Sequence, residues 1–175
     1  MDKQTEVAVI MGSDSDLPTV AETLKIFDKF AIKYSVNIAS AHRTSEFVKQ
    51  CVNNAENNGA KVFIAVAGMS AALPGVVASE TILPVIGVPM EGKALAGMDA
   101  LFSIAQMPPS IPVACVSIGK AGAINAAILA MEILAVSDKN MSNKLIDYRK
   151  QMKEKILAKD KKLNELGYEK YLAEK

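Results

Sequence analysis

Short apolar runs alternate along the chain with longer stretches in which apolar residues recur every three or four positions. The first run covers residues 7–11, and it leads into the turn-forming residues 12–16 and an amphipathic stretch that ends near Phe30. This order predicts a strand, a tight turn and a helix. The same unit begins again at four later apolar runs, which cover residues 32–38, 61–66, 83–88 and 113–117.

Five strands of this kind, buried and separated by helices, favour an α/β fold whose parallel sheet is covered on both faces. Because connections between parallel strands are right-handed, we expect a three-layer, doubly wound sheet of the flavodoxin-like order. Each polar or glycine-rich cluster of the sequence follows directly after a predicted strand. These clusters should therefore lie together at the carboxyl edge of the sheet, where ligands bind in this architecture.

The last part of the chain has a different character. Residues 138–175 contain eleven of the 20 lysines and arginines and seven of the 19 acids, and they carry a narrow apolar stripe at roughly helical spacing. We interpret them as a long helical extension of a catalytic part at residues 1–137, the two forming a single domain. The interleaved charges favour a solvated helix over a nucleic-acid arm. The stripe favours contact with a neighbouring subunit, and packing on the helix's own domain is the alternative.

Composition limits the expected partners and compartment. Half of the 175 residues are apolar and 22% are charged, which indicates a globular protein with one core. The net charge of +1 gives no reason to expect nucleic acid or a membrane surface as a partner. Cys51 and Cys115 are too few for a disulfide scaffold or a zinc site. With no signal peptide and no membrane span expected either, we predict a soluble cytoplasmic protein without a bound metal.

The cluster Gly12-Ser13-Asp14-Ser15-Asp16 stands at the first predicted junction of strand and helix. Backbone N–H groups at the start of a helix suit an anion such as phosphate. The cluster is neither a Walker loop nor a three-glycine dinucleotide fingerprint, and a simple helix cap is the alternative use of its side chains. Asp16 is a candidate for binding ribose hydroxyls or an amine.

The cluster Ser40-Ala41-His42-Arg43-Thr44 follows the second predicted strand and belongs to the same edge. Arg43 offers a planar fork that suits phosphate. His42 is the only histidine of the chain, and imidazole is the side chain that most readily gives and takes a proton near neutral pH. Catalysis by His42 and a purely structural position are both open on this evidence.

Two further clusters, at residues 67–75 and 119–126, consist mainly of glycine, alanine and other small residues. Small residues let the backbone approach a ligand closely, and they equally allow a helix to pack closely on a strand. Lys120, in the second of these clusters, is a conceivable charge partner for a ligand.

Seven segments of the chain carry a family resemblance, namely residues 11–16, 40–44, 67–68, 73–75, 84–89, 106–108 and 119–126. In their order and spacing they resemble the PurE family, the N5-carboxyaminoimidazole ribonucleotide mutases of purine biosynthesis. The resemblance extends from about Val7 to Ala135. It implies a flavodoxin-like domain assembled as a homo-octamer, with the C-terminal helix joining subunits and the active site at subunit contacts. It also implies that the carboxylate of the substrate moves from the exocyclic nitrogen to C4 of the imidazole, without ATP, metal or organic cofactor.

By this resemblance His42 is the general acid and base, and Ser13, Asp16 and Arg43 bind the ribonucleotide, with Ser13 and Arg43 near its phosphate. The full set of residues expected to bind the substrate is Gly12, Ser13, Asp16, Ser40, Ala41, Arg43, Ala67, Gly68, Met69 and Leu73.

The third cluster departs from the family pattern. Mutases of this type commonly read Ala-Gly-Gly-Ala-Ala-His-Leu-Pro-Gly, whereas this chain has Met69, Ser70 and Ala72 in place of the second glycine, an alanine and the histidine. The related aminoimidazole ribonucleotide carboxylases, which add free CO2 to the same carbon, also lack that histidine and are the alternative. Those carboxylases tend to carry lysine in place of Arg43 and lack the Gly-Lys-Ala-Gly-Ala segment, so the mutase is favoured.

A non-catalytic flavodoxin-like module is a more remote alternative. A flavin carrier would need aromatic side chains in the loops after the strands, but the chain has no tryptophan and these loops hold no tyrosine or phenylalanine. A phosphoacceptor would need a cluster of carboxylates there, and only Asp14 and Asp16 are available.

Overall fold

A computed structural model describes residues 5–174 of the chain. Strands and helices alternate over residues 7–135 and two further helices follow, which confirms the predicted α/β class. The elements in chain order are β1 (Val7–Met11), α1 (Leu17–Phe30), β2 (Tyr34–Ile38), α2 (Ser45–Asn57), β3 (Val62–Ala67), α3 (Leu73–Ser79), β4 (Val85–Pro89), α4 (Met98–Ala105), β5 (Ala114–Cys115), α5 (Gly119–Ala135), α6 (Lys139–Leu166) and α7 (Tyr168–Ala173). A short 3-10 turn, Asp14–Asp16, precedes α1.

The five strands form one parallel sheet in the order β2-β1-β3-β4-β5. This is the flavodoxin-like order that the sequence predicts. The expectation of five buried strands was wrong at the edges: β1, β3 and β4 are buried throughout, whereas β2 is only half-buried. β5 is shorter than residues 113–117, and it pairs with β4 only through Ala114 and Cys115. An edge strand has one neighbour instead of two, so less of it is covered.

Small residues bring the helices close to the sheet and to one another. The face of α5 that is buried consists largely of glycine and alanine. Thr23 of α1 is 1% exposed, and its hydroxyl donates a hydrogen bond of 2.7 Å to the carbonyl of Ala123 in α5. The buried hydroxyl is thus satisfied, and it fixes α1 against α5.

Contacts divide the chain into two units, one ending at Leu134 and the other beginning at Ala135. In the second unit, the Asp138 side chain caps α6 by accepting hydrogen bonds from the N–H groups of Asn140 and Met141. The extension is two helices and not the single long helix that was expected. Gly167, with a φ of +75°, ends α6 before α7 begins.

Much of the apolar stripe of the extension is exposed, including Met152, Ile156 and Leu163. No helix among residues 5–174 is long and apolar enough to cross a membrane.

We predict that Gly122→Ala destabilises the protein severely. A Cβ atom at this position would lie 1.7 Å from the carbonyl oxygen of Ser117, and backbone cannot move aside as a flexible side chain does. The expected loss is at least about 3 kcal/mol of unfolding free energy, the upper end of overpacking penalties, measured by urea denaturation. Gly92→Ala is the matched control, because no atom lies within 4 Å of the Cβ it would add. Equal stability of the two variants would contradict the prediction.

Candidate active site

One cavity of about 950 Å³ lies at the carboxyl edge of the sheet, a volume typical of small-ligand sites. The hydrogen bonding between strands continues for one residue beyond the strand ends. The N–H of Gly12 donates a hydrogen bond to the carbonyl of Val66, and the N–H of Met90 donates one to the carbonyl of Ala67. The loops after β1, β2, β3 and β4 therefore begin side by side. Together they line the cavity.

The structure brings all the residues predicted for the site onto the wall of this cavity. They are Gly12, Ser13, Asp16, Ser40, Ala41, His42, Arg43, Ala67, Gly68, Met69 and Leu73. The small residues were open to two uses. Ala126 is buried and does not line the cavity, Ala71 is buried and also lines it, and Ala72 is exposed at the cavity.

The sequence reasoning missed the loop after β4. Met90, Glu91, Gly92, Lys93 and Ala94 line the cavity, as does Asp99 in the first turn of α4. One carboxylate oxygen of Asp99 is buried and has no hydrogen-bond partner within residues 5–174. The signal was present in the sequence, because the rule that loops after parallel strands form the site applies equally to β4.

Lys120 does not belong to this cavity, which corrects the idea that it is a charge partner for a ligand. The segment 119–126 forms the beginning of α5 and not a loop. The Lys120 ammonium lies 3.3 Å from a carboxylate oxygen of Glu22 in α1. Hydrogen bonds from Lys25, which has the larger effect, and from Lys120 hold the pKa of Glu22 below its ordinary value.

The turn after β1 serves both as a helix cap and as a wall of the site. The Ser13 hydroxyl oxygen accepts hydrogen bonds from the N–H of Ser15, at 3.3 Å, and from the Ser15 hydroxyl, at 2.8 Å. Partial burial raises the pKa of Asp16, and the negative charge of Asp14 adds to this effect. Hydrogen bonds from the backbone of Ser13 and the side chain of Ser15 offset it in part. The carboxylate is thus placed at the cavity at some cost to its solvation.

Arg43 connects the loops after β1 and β2. Its guanidinium donates hydrogen bonds to the Ser40 hydroxyl, at 3.3 Å, and to the Gly12 carbonyl, at 3.5 Å. Two such long contacts leave most of its five N–H groups available to an anion. The loop itself is held by Thr44, whose hydroxyl accepts the N–H of Ser40 at 2.9 Å and donates to its carbonyl at 3.2 Å.

His42 is exposed on the turn beside Arg43, and its side chain has no hydrogen-bond or ion-pair partner in the part of the chain that the structure describes. Both ring nitrogens are therefore available to a bound molecule. An imidazole on a cavity wall, next to an anion-binding guanidinium, is placed for proton transfer to or from a phosphorylated ligand.

The cavity carries on its wall cationic side chains that suit an anionic group of a ligand, together with the carboxylates of Asp16, Glu91 and Asp99. The cationic side chains Arg43 and Lys93 lie on its wall, with the backbone N–H groups of the turn after β1. These donors match the phosphate of a nucleotide. Across residues 5–174 no group of three or more His, Cys, Asp or Glu side chains is arranged to hold a metal.

The sequence profile of the family described as AIR carboxylase matches residues 6–155, most of the chain. This chain belongs to the AIR carboxylase family. The matched span includes β1 to β5 and every residue on the cavity wall.

Several curated relatives of this AIR carboxylase family member are named N5-carboxyaminoimidazole ribonucleotide mutase. The relative from Pyrococcus horikoshii is 50% identical over 168 residues, which is 96% of this chain and 94% of the relative. The Escherichia coli K12 relative is 46% identical over 151 residues, 86% of this chain and 89% of the relative. The crystal structure of Treponema denticola PurE is 31% identical and superimposes with a TM-score of 0.82, covering 91% of this chain and 98% of that one.

We predict that Asp16→Asn raises the melting temperature at pH 7. Because the pKa of Asp16 is raised on folding, the folded protein binds this proton more tightly than the unfolded chain, and ionisation of Asp16 lowers stability. The stability contributed by this group is therefore full in acid and lost as the pH rises from about 4, the ordinary range of aspartate, through the raised pKa. The gain from Asp16→Asn should accordingly be present at pH 7 and absent at pH 3, as measured by calorimetry.

The matched control is Glu46→Gln, an exposed acid in the first turn of α2 outside the cavity. It should give no gain at pH 7. A melting temperature for Asp16→Asn that is unchanged or lower at pH 7 would refute the prediction.

Proposed function

We propose that this chain is an N5-carboxyaminoimidazole ribonucleotide mutase, which moves the substrate carboxylate to C4 of the imidazole and yields 4-carboxy-5-aminoimidazole ribonucleotide for purine biosynthesis. The observation that carries the proposal is the cavity wall on which His42 and Arg43 meet Ser13 and Asp16. The names of relatives about half identical over nearly the whole chain support the same reaction.

The ribonucleotide binds with its phosphate at the loops after β1 and β2. The Arg43 guanidinium, the Ser13 hydroxyl and the backbone N–H groups of the turn after β1 donate hydrogen bonds to the phosphate. Asp16 accepts hydrogen bonds from the ribose hydroxyls, which replace part of the solvation that its carboxylate has lost. Ser40, Ala41 and Gly12 form the wall between these groups.

The imidazole end of the substrate then lies toward the loops after β3 and β4, because β3 and β4 follow β1 in the sheet order. His42 donates a proton to the exocyclic nitrogen as its bond to the carboxylate carbon breaks, releasing CO2 within the cavity. The electron-rich C4 attacks CO2, and His42 takes back the C4 proton so that the ring regains aromaticity. Protons and electrons balance, and neither ATP nor an organic cofactor or metal is required.

The walls of Ala67, Gly68 and Leu73 are suited to retaining CO2. Small and apolar residues make no strong interaction with CO2. They do allow the wall to approach the substrate closely, and they offer water few hydrogen-bonding groups. Retention keeps CO2 beside C4, so that the attack becomes effectively unimolecular, which is the main advantage such a site provides.

A carboxylase that takes free CO2 is the second candidate. Ala72 is the observation that favours it, since this exposed position on the cavity wall carries no imidazole. The relatives named mutase and the presence of Arg43 favour the first candidate.

The protein acts as a homo-oligomer, and the family resemblance suggests an octamer. Large apolar side chains exposed on the chain support subunit contacts, among them Ile82, Phe102 and Ile156. Both cysteines are free thiols, in keeping with a reduced cytoplasmic compartment. Light scattering coupled to size exclusion measures the subunit number directly.

The reaction is tested by giving purified protein either N5-carboxyaminoimidazole ribonucleotide or aminoimidazole ribonucleotide with bicarbonate or CO2. The mutase is expected to convert the first substrate without ATP, at a rate that does not depend on added CO2. Product formation only from aminoimidazole ribonucleotide and CO2 would establish the carboxylase instead. Absence of 4-carboxy-5-aminoimidazole ribonucleotide under every condition would reject both.

We predict that His42→Asn keeps ribonucleotide binding and loses turnover by at least ~10²-fold, the usual contribution of a positioned acid-base group. Asparagine retains a polar side chain but cannot exchange a proton near neutral pH. Calorimetric titration with the product checks binding, and the initial rate checks turnover. Glu46→Gln, on the neighbouring helix turn but outside the cavity, should leave both unchanged. Turnover near the wild-type rate in His42→Asn would remove the acid-base role.

A further inference from the structure

Met69 occupies a backbone conformation that methionine rarely adopts. Its φ is +57°, in the left-handed region where a Cβ atom crowds the backbone and glycine is favoured. The residue is the second after the end of β3 and lies on the cavity wall. Strained residues of this kind persist where the surrounding structure enforces them, and they concentrate at functional sites.

The surrounding structure does enforce it. Before Met69, the carbonyl of Ala67 is bonded by the N–H of Met90 at 2.9 Å. After it, the N–H of Ala71 bonds the Met69 carbonyl at 2.9 Å, and both Ala71 and Leu73 are buried in the core. The backbone is fixed on both sides, so the strain at Met69 is not released by a shift of the loop.

The fold of the single chain gains little from the Met69 side chain. The residue is 73% exposed, although it carries a long apolar group and lies beside a cavity. Burial therefore does not account for a methionine at this position, and neither does backbone preference. The apolar group becomes useful when a bound molecule covers it. A thioether also packs favourably on a planar ring such as an imidazole.

We propose that Met69 covers the reacting end of the bound ribonucleotide and keeps the released CO2 in the cavity until C4 attacks it. This inference rests on the proposed function. The N–C bond to the carboxylate breaks, the C4–C bond forms, and His42 gives and regains one proton. Between the two steps the cavity holds aminoimidazole ribonucleotide and CO2, and CO2 has no phosphate by which Arg43 and the turn after β1 can hold it. Met69 is a water-excluding and CO2-retaining residue, and it exchanges no proton itself.

The test follows an isotopic carbon label in the carboxylate of N5-carboxyaminoimidazole ribonucleotide. Turnover is run in excess unlabelled bicarbonate with carbonic anhydrase, so that escaped CO2 is replaced by unlabelled CO2. Mass spectrometry of the product gives the fraction of label retained. Wild type should retain most of it. Met69→Ala, which keeps a Cβ and hence the strained backbone, should lower retention at least about two-fold because the cover is gone. Met69→Leu should retain label as wild type does.

Two glycine variants separate the backbone effect from the side-chain effect. Ala31, at the end of α1 and outside the cavity, also has a left-handed φ, of 58°. Both Met69→Gly and Ala31→Gly should raise the melting temperature, because glycine adopts this conformation without strain. Only Met69→Gly should lose label.

The outcomes distinguish this inference from the proposed function. Wild-type retention of label in Met69→Ala and Met69→Gly would overturn the role of Met69 while leaving the mutase reaction intact. A wild type that forms product but retains no label would overturn it as well. A wild type that forms no product from N5-carboxyaminoimidazole ribonucleotide would instead reject the proposed function, and with it the reaction that Met69 is proposed to protect.

Discussion

Parallel pairing places the last residues of four strands in one row, because a parallel ladder fixes which residues lie side by side. Met11 pairs with both Ile38 and Val66, and Val66 pairs with Val88. The loops that follow these strands consequently leave the sheet from a fixed line. Ser13 and Lys93 are far apart in the sequence, but both line one cavity for this reason. No hydrogen bond or ion pair within residues 5–174 joins their side chains, so the sheet and not a direct contact brings them together.

The register of this ladder is not set by alternation of apolar and polar residues. β1, β3 and β4 are buried along their whole length, so a slip of one residue would exchange one apolar face for another. Small residues at defined positions supply the missing specificity. A Cβ on Gly87 would lie 2.4 Å from a methyl carbon of Ile104. Helix α4 can therefore pack this closely on β4 only at the position of the glycine. The same close packing positions the loop that carries Lys93.

Several features that lower stability lie on the cavity wall, and others lie elsewhere, such as the left-handed backbone of Ala31 and the buried hydroxyl of Ser35, which has no partner within residues 5–174. Asp16 loses part of its solvation, Met69 holds a left-handed backbone, and one oxygen of Asp99 is buried without a partner inside residues 5–174. The left-handed backbone and the unpartnered buried oxygen each cost on the order of 1–3 kcal/mol. Buried Thr23 in the core has its hydrogen bond. A ligand that offers hydroxyl or amine donors would supply the carboxylates of Asp16 and Asp99 with hydrogen bonds in place of lost water.

The sequence by itself determined the sheet, its order and the loops after the first three strands, because buried parallel strands and turn residues have strong local patterns. It also indicated His42 and Arg43, since both follow a predicted strand and their side chains suit proton transfer and phosphate binding. Tertiary structure decided the rest. It showed that Lys120 pairs with Glu22 outside the cavity, that Ala72 is exposed at the cavity, and that residues 90–94 and Asp99 belong to the wall. These facts depend on which elements pack together. A local sequence pattern does not specify the distances between residues that are far apart in the chain.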